Sequence, residues 1–271
     1  DPDARPLAIR YDPASRVEAL RVPDLFVLSA RPRSRRAPQP TPVLFNARFA
    51  LPAGRYRVEL QAAGGEALSG RLSLQGGRQS GSALDEWSVD AAPGQNWSAT
   101  FDLPVDLSFV GFRASAALPP AIAELRVRPE RVVPTLGRTA AYDVIASAVL
   151  GGRFVFLFHD GAAYPEGSGF WVRGSAETQL SVVSRTGRLT QPVRLKLRNG
   201  PVPNVIHIAT PDGQQQIAFA PGAIHEVTIT PTPLDGTLRM IIGAEGGFVP
   251  ADVEPGNPDR RLLAVWVEVV G

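Results

Sequence analysis

Cysteine is absent from all 271 residues of this chain, which excludes disulfides, thiolate metal sites and a cysteine nucleophile together. It leaves the compartment open, since oxidising compartments permit disulfides without requiring them. Lysine is nearly absent too. Lys196 is the only one, and with abundant Ala, Gly and Pro this bias reads as GC-rich coding rather than recognition chemistry. A large excess of one charge sign is also lacking: the formal net charge of +2 gives no electrostatic footprint for nucleic acid. No unbroken apolar run reaches the roughly 18 residues that a membrane-spanning helix needs. No segment sustains a helical period, so helix is expected to amount to a turn or two. GxSxG, the P-loop and a strand-following GxGxxG are all missing, and His159, His207 and His225 share no metal-ligand spacing. Each histidine therefore reads as structural or solvent-facing. The chain opens Asp1-Pro2-Asp3 with no leader-like segment, which is expected of a processed protein or a piece of a longer one.

What is present is turn chemistry and two-residue alternation. Gly 26 and Pro 26 are many for a helical protein and fit many short strands, while 44% hydrophobic residues suffice for real cores. The length suits two domains of about 130 residues each. The densest apolar run, Phe154 to Phe158, leaves neither face polar and predicts a strand buried on both sides. Asp160-Gly161 and the stretch Tyr164 to Gly169 supply turns, and Phe170-Trp171-Val172 resumes a strand. Tyr56, Val58 and Leu60 alternate with charged residues, as do Val193, Leu195 and Leu197; Trp97, Ala99, Phe101 and Leu103 alternate with Ser98, Thr100 and Asp102. Each reads as a half-buried antiparallel strand. The prediction is an all-β protein of two tandem antiparallel β-sandwich, jelly-roll-like domains with very little helix. They span 1–134, with an irregular N-terminal extension, and 135–271, joined through Pro129 to Arg138. Ser15 to Leu28, interrupted by Pro23, fits one or two strands; Ala30 to Pro42, with Arg31, Arg33, Arg35 and Arg36 among prolines, reads as a solvated basic loop.

The two halves look like copies of one plan. Ala92-Pro93-Gly94 before a strand ending at Phe101 matches Ala220-Pro221-Gly222 before a strand ending at Ile229, and both copies close on a strand of the form IAELRVR or LLAVWVE. That match sets Trp266 where the first copy has Arg126. The second copy carries extra residues from about Val249 to Arg260, and an insertion confined to one copy is a candidate for function.

Two sets of candidate residues follow. Trp266 and Glu268 are expected on the face opposite Leu263, Val265, Val267 and Val269, so Trp266 either stacks on a ligand or is covered. Trp171 and Trp87 pose the same choice. With Tyr164 and Glu166 these make the ligand-binding set: Tyr164, Glu166, Trp171, Trp266 and Trp87. The loop Asp252 to Arg261 packs Asp252, Glu254, Asn257 and Asp259 close together, a density of oxygen ligands that suits Ca²⁺, whereas the adjoining Arg260 and Arg261 suit internal ion pairing instead. Carboxylates near aromatics at Asp85-Glu86-Trp87 and Tyr164-Pro165-Glu166 keep a hydrolase in view, without a placeable partner carboxylate.

The segments DGAAYPEGSGFWVRG (Asp160 to Gly174) and GFVPADVEPGNPDRRLLAVWV (Gly247 to Val267) resemble the carbohydrate-binding-like jelly-roll ectodomains of bacterial membrane glycosyltransferases and related polysaccharide-assembly proteins. Leu263-Ala264 departs from the Leu-Gly expected before the last strand. The resemblance implies an extracytoplasmic, non-catalytic module, periplasmic or at the cell surface, that binds or positions cell-envelope carbohydrate beside a membrane-anchored catalytic portion. It supplies no catalytic residues. The alternative is a structural or protein-interaction ectodomain with no sugar site, its partner a protein of the envelope.

Overall fold

The computed structural model describes residues 9–10, 18–19, 26–28, 43–51, 53–62, 65–78, 83–115, 118, 122–132, 144–186, 189–231 and 236–270. The basic stretch Ala30 to Pro42 and the boundary expected at 134/135 lie outside them. The chain forms two compact units, one of Asp1–Gln75 with Asp85–Tyr142, the other of Gly76–Leu84 with Asp143–Gly271.

In the first unit the strands are β1 (Ile9–Arg10), β2 (Glu18–Ala19), β3 (Phe26–Leu28), β4 (Val43–Leu51), β5 (Gly54–Ala62), β6 (Leu68–Gly76), β7 (Asp85–Ala91), β8 (Trp97–Leu103), β9 (Leu107–Ala114) and β10 (Ile122–Val132). Apart from the β1-β2 pair they build two four-stranded sheets, β3-β10-β5-β8 and β4-β9-β6-β7. The ladders β3-β10, β10-β5, β5-β8, β4-β9 and β6-β7 are antiparallel. That order, with the first strand beside the last and the second beside the second-to-last, is the jelly roll. Phe101 of β8 joins the two sheets: its ring lies 5.4 Å from Tyr56, 6.0 Å from Phe112 and 6.0 Å from Trp87. Burial raises the Tyr56 hydroxyl pKa above the ordinary tyrosine value. β10 extends past Pro129, where the sequence suggests that the interdomain connection opens. Pro129 still pairs with Tyr56, and the ladder then breaks between Pro129 and Arg131, the irregularity at which a sheet tolerates proline.

The second unit adds β11 (Ala146–Leu150), β12 (Phe154–Phe158), β13 (Ala163–Glu166), β14 (Gly169–Arg173), β15 (Ala176–Ser184), β16 (Val193–Asn199), β17 (Asn204–Thr210), β18 (Gly213–Phe219), β19 (Ile224–Ile229), β20 (Thr237–Ala244), α1 (Pro250–Val253) and β21 (Leu263–Val269). Its sheets run β11-β12-β15-β20-β17-β18 and β13-β14-β21-β16-β19. Adding eleven to each strand number of the first unit reproduces this order: β3-β10-β5-β8 becomes β14-β21-β16-β19, and β4-β9-β6-β7 becomes β15-β20-β17-β18. The duplication read from the sequence is thus present in the topology. The second copy has gained β11 and β12 on one sheet and β13 on the other.

Alternation builds the second core. Phe156, Leu180, Val182, Ile206, Ile208 and Ile242 from the six-stranded sheet meet Phe170, Val172, Leu195, Leu197, Val265 and Val267 from the five-stranded one. All five residues of β12 are buried, so both of its faces are covered, as its composition predicts. The connection after β6 belongs to this unit. The Ser147 hydroxyl accepts from Gly76 N at 3.2 Å and donates to Gly76 O at 2.9 Å, and Arg78 N donates to Val144 O at 3.1 Å.

Candidate functional site

The outer face of the five-stranded sheet carries the site. With Val172, Phe170, Val265, Val267, Leu195 and Leu197 pointing inward, the alternate residues must point out. Register then decides which of them meet. Tyr164 pairs with Trp171, Trp171 with Trp266, Trp266 with Arg198, and Arg198 with Ile224, one row running straight across five strands. The next row is Glu166, Gly169, Glu268, Lys196 and Glu226. At about 4.8 Å per strand the five-residue row is about 19 Å long, of which its three aromatics span about 10 Å.

A glycine in the second row makes room for the first. A Cβ on Gly169 would stand 2.6 Å from Trp266 Cζ2 and 2.8 Å from Cε2, so the indole lies over the bare backbone of β14. The indole of Trp171 packs against it at 5.5 Å with planes 59° apart, and Phe248 meets Trp171 edge-on at 5.9 Å. Both indoles and the Tyr164 ring are half-buried, with Phe248 seated against Gly200.

Charged groups hold the row at both ends. Lys196 Nζ lies 2.8 Å from Glu268 Oε1, and Trp266 Nε1 donates to Glu268 Oε2 at 3.4 Å. Lys196 foremost, with Trp266 and Arg198, holds the Glu268 carboxyl below its usual range. At the other end Arg261 stacks on Tyr164, with Cζ 5.0 Å from the ring centroid, and pairs with Glu166. Asp259 grips the same guanidinium through Nε at 3.0 Å and Nη2 at 2.6 Å, which lowers its own carboxyl to about 2 and raises Arg261.

The insertion places Arg261. Its ends are fastened by the Phe248–Leu263 bridge, with N to O distances of 2.7 and 2.8 Å, and its middle by Ala251 N donating to Asp259 O at 2.8 Å. Inside it Asn257 Nδ2 donates to Glu254 Oε2 at 2.7 Å, Asp259 N to Asn257 Oδ1 at 2.9 Å, and Arg261 N to Asp259 Oδ1 at 3.0 Å. The four oxygen residues expected to suit calcium, Asp252, Glu254, Asn257 and Asp259, are thus not gathered on one point. Asp252 is exposed, and the others are spent on the loop itself and on Arg261. Among the described residues no three His, Cys, Asp or Glu side chains are arranged to hold a metal ion.

Tyr164, Glu166, Trp171 and Trp266 therefore come together, while Trp87 does not join them. It sits in the first unit, paired with buried Leu72 and packed on Phe101 and Trp97, at the edge of that core. Sequence reasoning missed Arg198, Lys196, Arg261, Phe248 and Gly169 as members of the site. The cations of β16 were visible as its outward alternation, but only register shows that Arg198 adjoins Trp266.

The depressed carboxyls give this site an acid limit. A carboxylate with a lowered folded pKa contributes stability that is present above its unfolded value near 4 and lost as pH falls through the folded one. The Asp259–Arg261–Tyr164 clamp is expected to persist at pH 5 to 7 and loosen between about pH 4 and 2. Near-UV circular dichroism should show a Tyr transition in that window in the wild type, and Asp259→Asn, whose amide does not titrate, should lack it.

No protein-family model matches the chain, and no curated protein matches it. Among solved structures it is similar to an allantoicase, at 12% identity and a TM-score of 0.23, over 81% of this chain and 74% of that one. It is also similar to a variant of the Bacillus subtilis oxalate decarboxylase, at 9% identity and a TM-score of 0.17, over 82% and 65% of the two chains. Likeness at this level assigns neither fold nor activity. The strand order defines a tandem jelly-roll protein, one unit of which bears an aromatic row flanked by charge.

Proposed function

We propose that the chain is a non-catalytic extracytoplasmic module that binds or positions cell-envelope carbohydrate, within a larger membrane glycosyltransferase or polysaccharide-assembly protein. The observation that carries this reading is the register of Tyr164, Trp171, Trp266 and Arg198 in one row on an outward sheet face. Aromatic rings offer apolar faces to the C–H faces of pyranoses, and the flanking Glu166, Glu268, Lys196 and Arg198 offer acceptors and donors to hydroxyls. Glu166 is tied to Arg261, and Lys196 holds the Glu268 carboxyl below its usual range, which makes Glu268 a poor proton donor at neutral pH. The resemblance of Asp160 to Gly174 and Gly247 to Val267 to polysaccharide-assembly ectodomains supports the location; no helix among the described residues is long and apolar enough to cross a membrane.

A second reading, a protein-interaction ectodomain, is favoured by one observation: Trp171 already spends an edge on Phe248. Titration separates the two. Intrinsic tryptophan emission is measured against a panel of envelope oligosaccharides for wild type and for Trp266→Ala. A saturable change for at least one glycan is expected, with binding at least about thirtyfold weaker in the variant, the cost of losing a Trp hot spot of about 2 kcal/mol. A flat response across the panel from a folded wild type favours the protein partner.

A further inference from the structure

Arg198 is the charged member of the row Tyr164, Trp171, Trp266, Arg198 and Ile224, and it is exposed. Its register partners are Trp266 on β21 and Ile224 on the edge strand β19, and Gly200 follows it two residues on. None of these three bears a carboxylate. Among the described residues no hydrogen bond or ion pair engages the Arg198 guanidinium, which acts on the Glu268 carboxyl through space. Of the cations nearest the row, Arg261 is held by Glu166 and Asp259, and Lys196 by Glu268, with Glu226 as its register partner on the other side.

The duplicated strand shows the same position satisfied within its own sheet. Where the second unit pairs Trp266 with Arg198, the first pairs Arg126 with Glu59, and Glu59 Oε2 lies 3.4 Å from Arg128 Nε. In the second unit the place of Arg128 is taken by Glu268, which pairs with Lys196 instead. A guanidinium is thus left beside an indole, with planar paired donors that match a carboxylate. Trp266 and the Ile224 side chain, which is 52% exposed, flank it with apolar surface, where water competes less and an ion pair is stronger. We infer that the glycan on this row is acidic, and that Arg198 holds the carboxylate of a hexuronate residue next to the sugar stacked on Trp266. The inference deepens the carbohydrate reading and rests on it, and all of its site residues belong to the second unit.

The test is calorimetric titration of the full chain with tetramers of mannuronate, guluronate, galacturonate and glucuronate, each beside its carboxyl-reduced neutral product. Wild type, Arg198→Gln, Arg198→Thr and Trp266→Ala are compared; threonine favours strands and keeps the test open should the glutamine variant fail to fold. At least one uronate tetramer is expected to bind the wild type at least about tenfold more tightly than its reduced product, with the ratio falling as salt is raised. Either Arg198 variant should bring the two forms of that tetramer to equal affinity, and Trp266→Ala should weaken both. Equal binding of every pair by the wild type, or a preference that survives loss of the Arg198 charge, overturns the inference. Inorganic phosphate competing as well as the tetramer overturns it in favour of a simple anion site. If neutral oligosaccharides bind and respond to Trp266→Ala while no uronate is preferred, this inference alone has failed; if no glycan binds, the carbohydrate reading has failed with it.

Discussion

Gly169→Ala is expected to remove the aromatic row as a binding surface and to destabilise the second unit by about 1–3 kcal/mol, the usual cost of overpacking. The added methyl would collide with Trp266 at Cζ2 and Cε2, 2.6 and 2.8 Å away, and with the carbonyl oxygen of Val267. The indole can rotate away, but a backbone carbonyl in the ladder cannot, so relief requires β14 and β21 to part. That displaces Trp171 and Trp266 together, since the two are register partners across this pair of strands. Glycan binding should fall below detection, with the near-UV signal of the paired indoles lost at neutral pH. Gly161→Ala is the control: its added methyl meets nothing within 4 Å, and stability and binding should both be unchanged. A Gly169→Ala protein with wild-type stability and binding would show that the indole does not rest on β14.

Phe170→Ala is expected to cost about 3–5 kcal/mol, because it leaves a cavity between the two sheets. Its ring is fully buried, 5.0 Å from Phe158 and 5.9 Å from Phe156, so a residue of β14 is the bridge to β12 of the facing sheet. Denaturant unfolding should show the midpoint shifted with the slope unchanged. Its neighbour Trp171 points the other way. Trp171→Ala should cost clearly less stability and more binding, and a reversal of that order would mean that the inward and outward faces of β14 have been assigned backwards.

Those two neighbours mark what was legible from residue order. Alternation is a local property, and it identified the strands and the inward set Val265, Val267 and Val269. It also put Trp266 and Glu268 on one side. Similar turns and closing strands revealed the duplication, because copies preserve the chemistry of their turns. Register is not local. That Trp171 meets Trp266, and Trp266 meets Arg198, follows from pairings between residues far apart in the chain, fixed by how two whole sheets fill their core. Gly169 looked like turn punctuation beside Gly167 and is instead the space under an indole. Of the two readings that the oxygen-rich insertion left open, internal pairing is the one seen at Asp259 and Arg261. Asp252, Glu254, Asn257 and Asp259 are close in sequence, but a loop rich in proline and Asx side chains satisfies its own backbone, and Arg261 claims the strongest acceptor. Trp87 was ambiguous from alternation alone, and only the strand facing it, with Phe101 inward, draws it to the core edge.

The central claim is that sugar stacks on the row formed by Tyr164, Trp171 and Trp266. The most direct test is saturation-transfer difference NMR with selective irradiation of the aromatic protons, in the presence of an oligosaccharide that binds the wild type. The account predicts transfer strongest to the ring C–H protons of the sugar, and lost in a folded Trp171→Ala/Trp266→Ala double variant. Transfer that survives in that variant, or that is absent from the wild type, would contradict it.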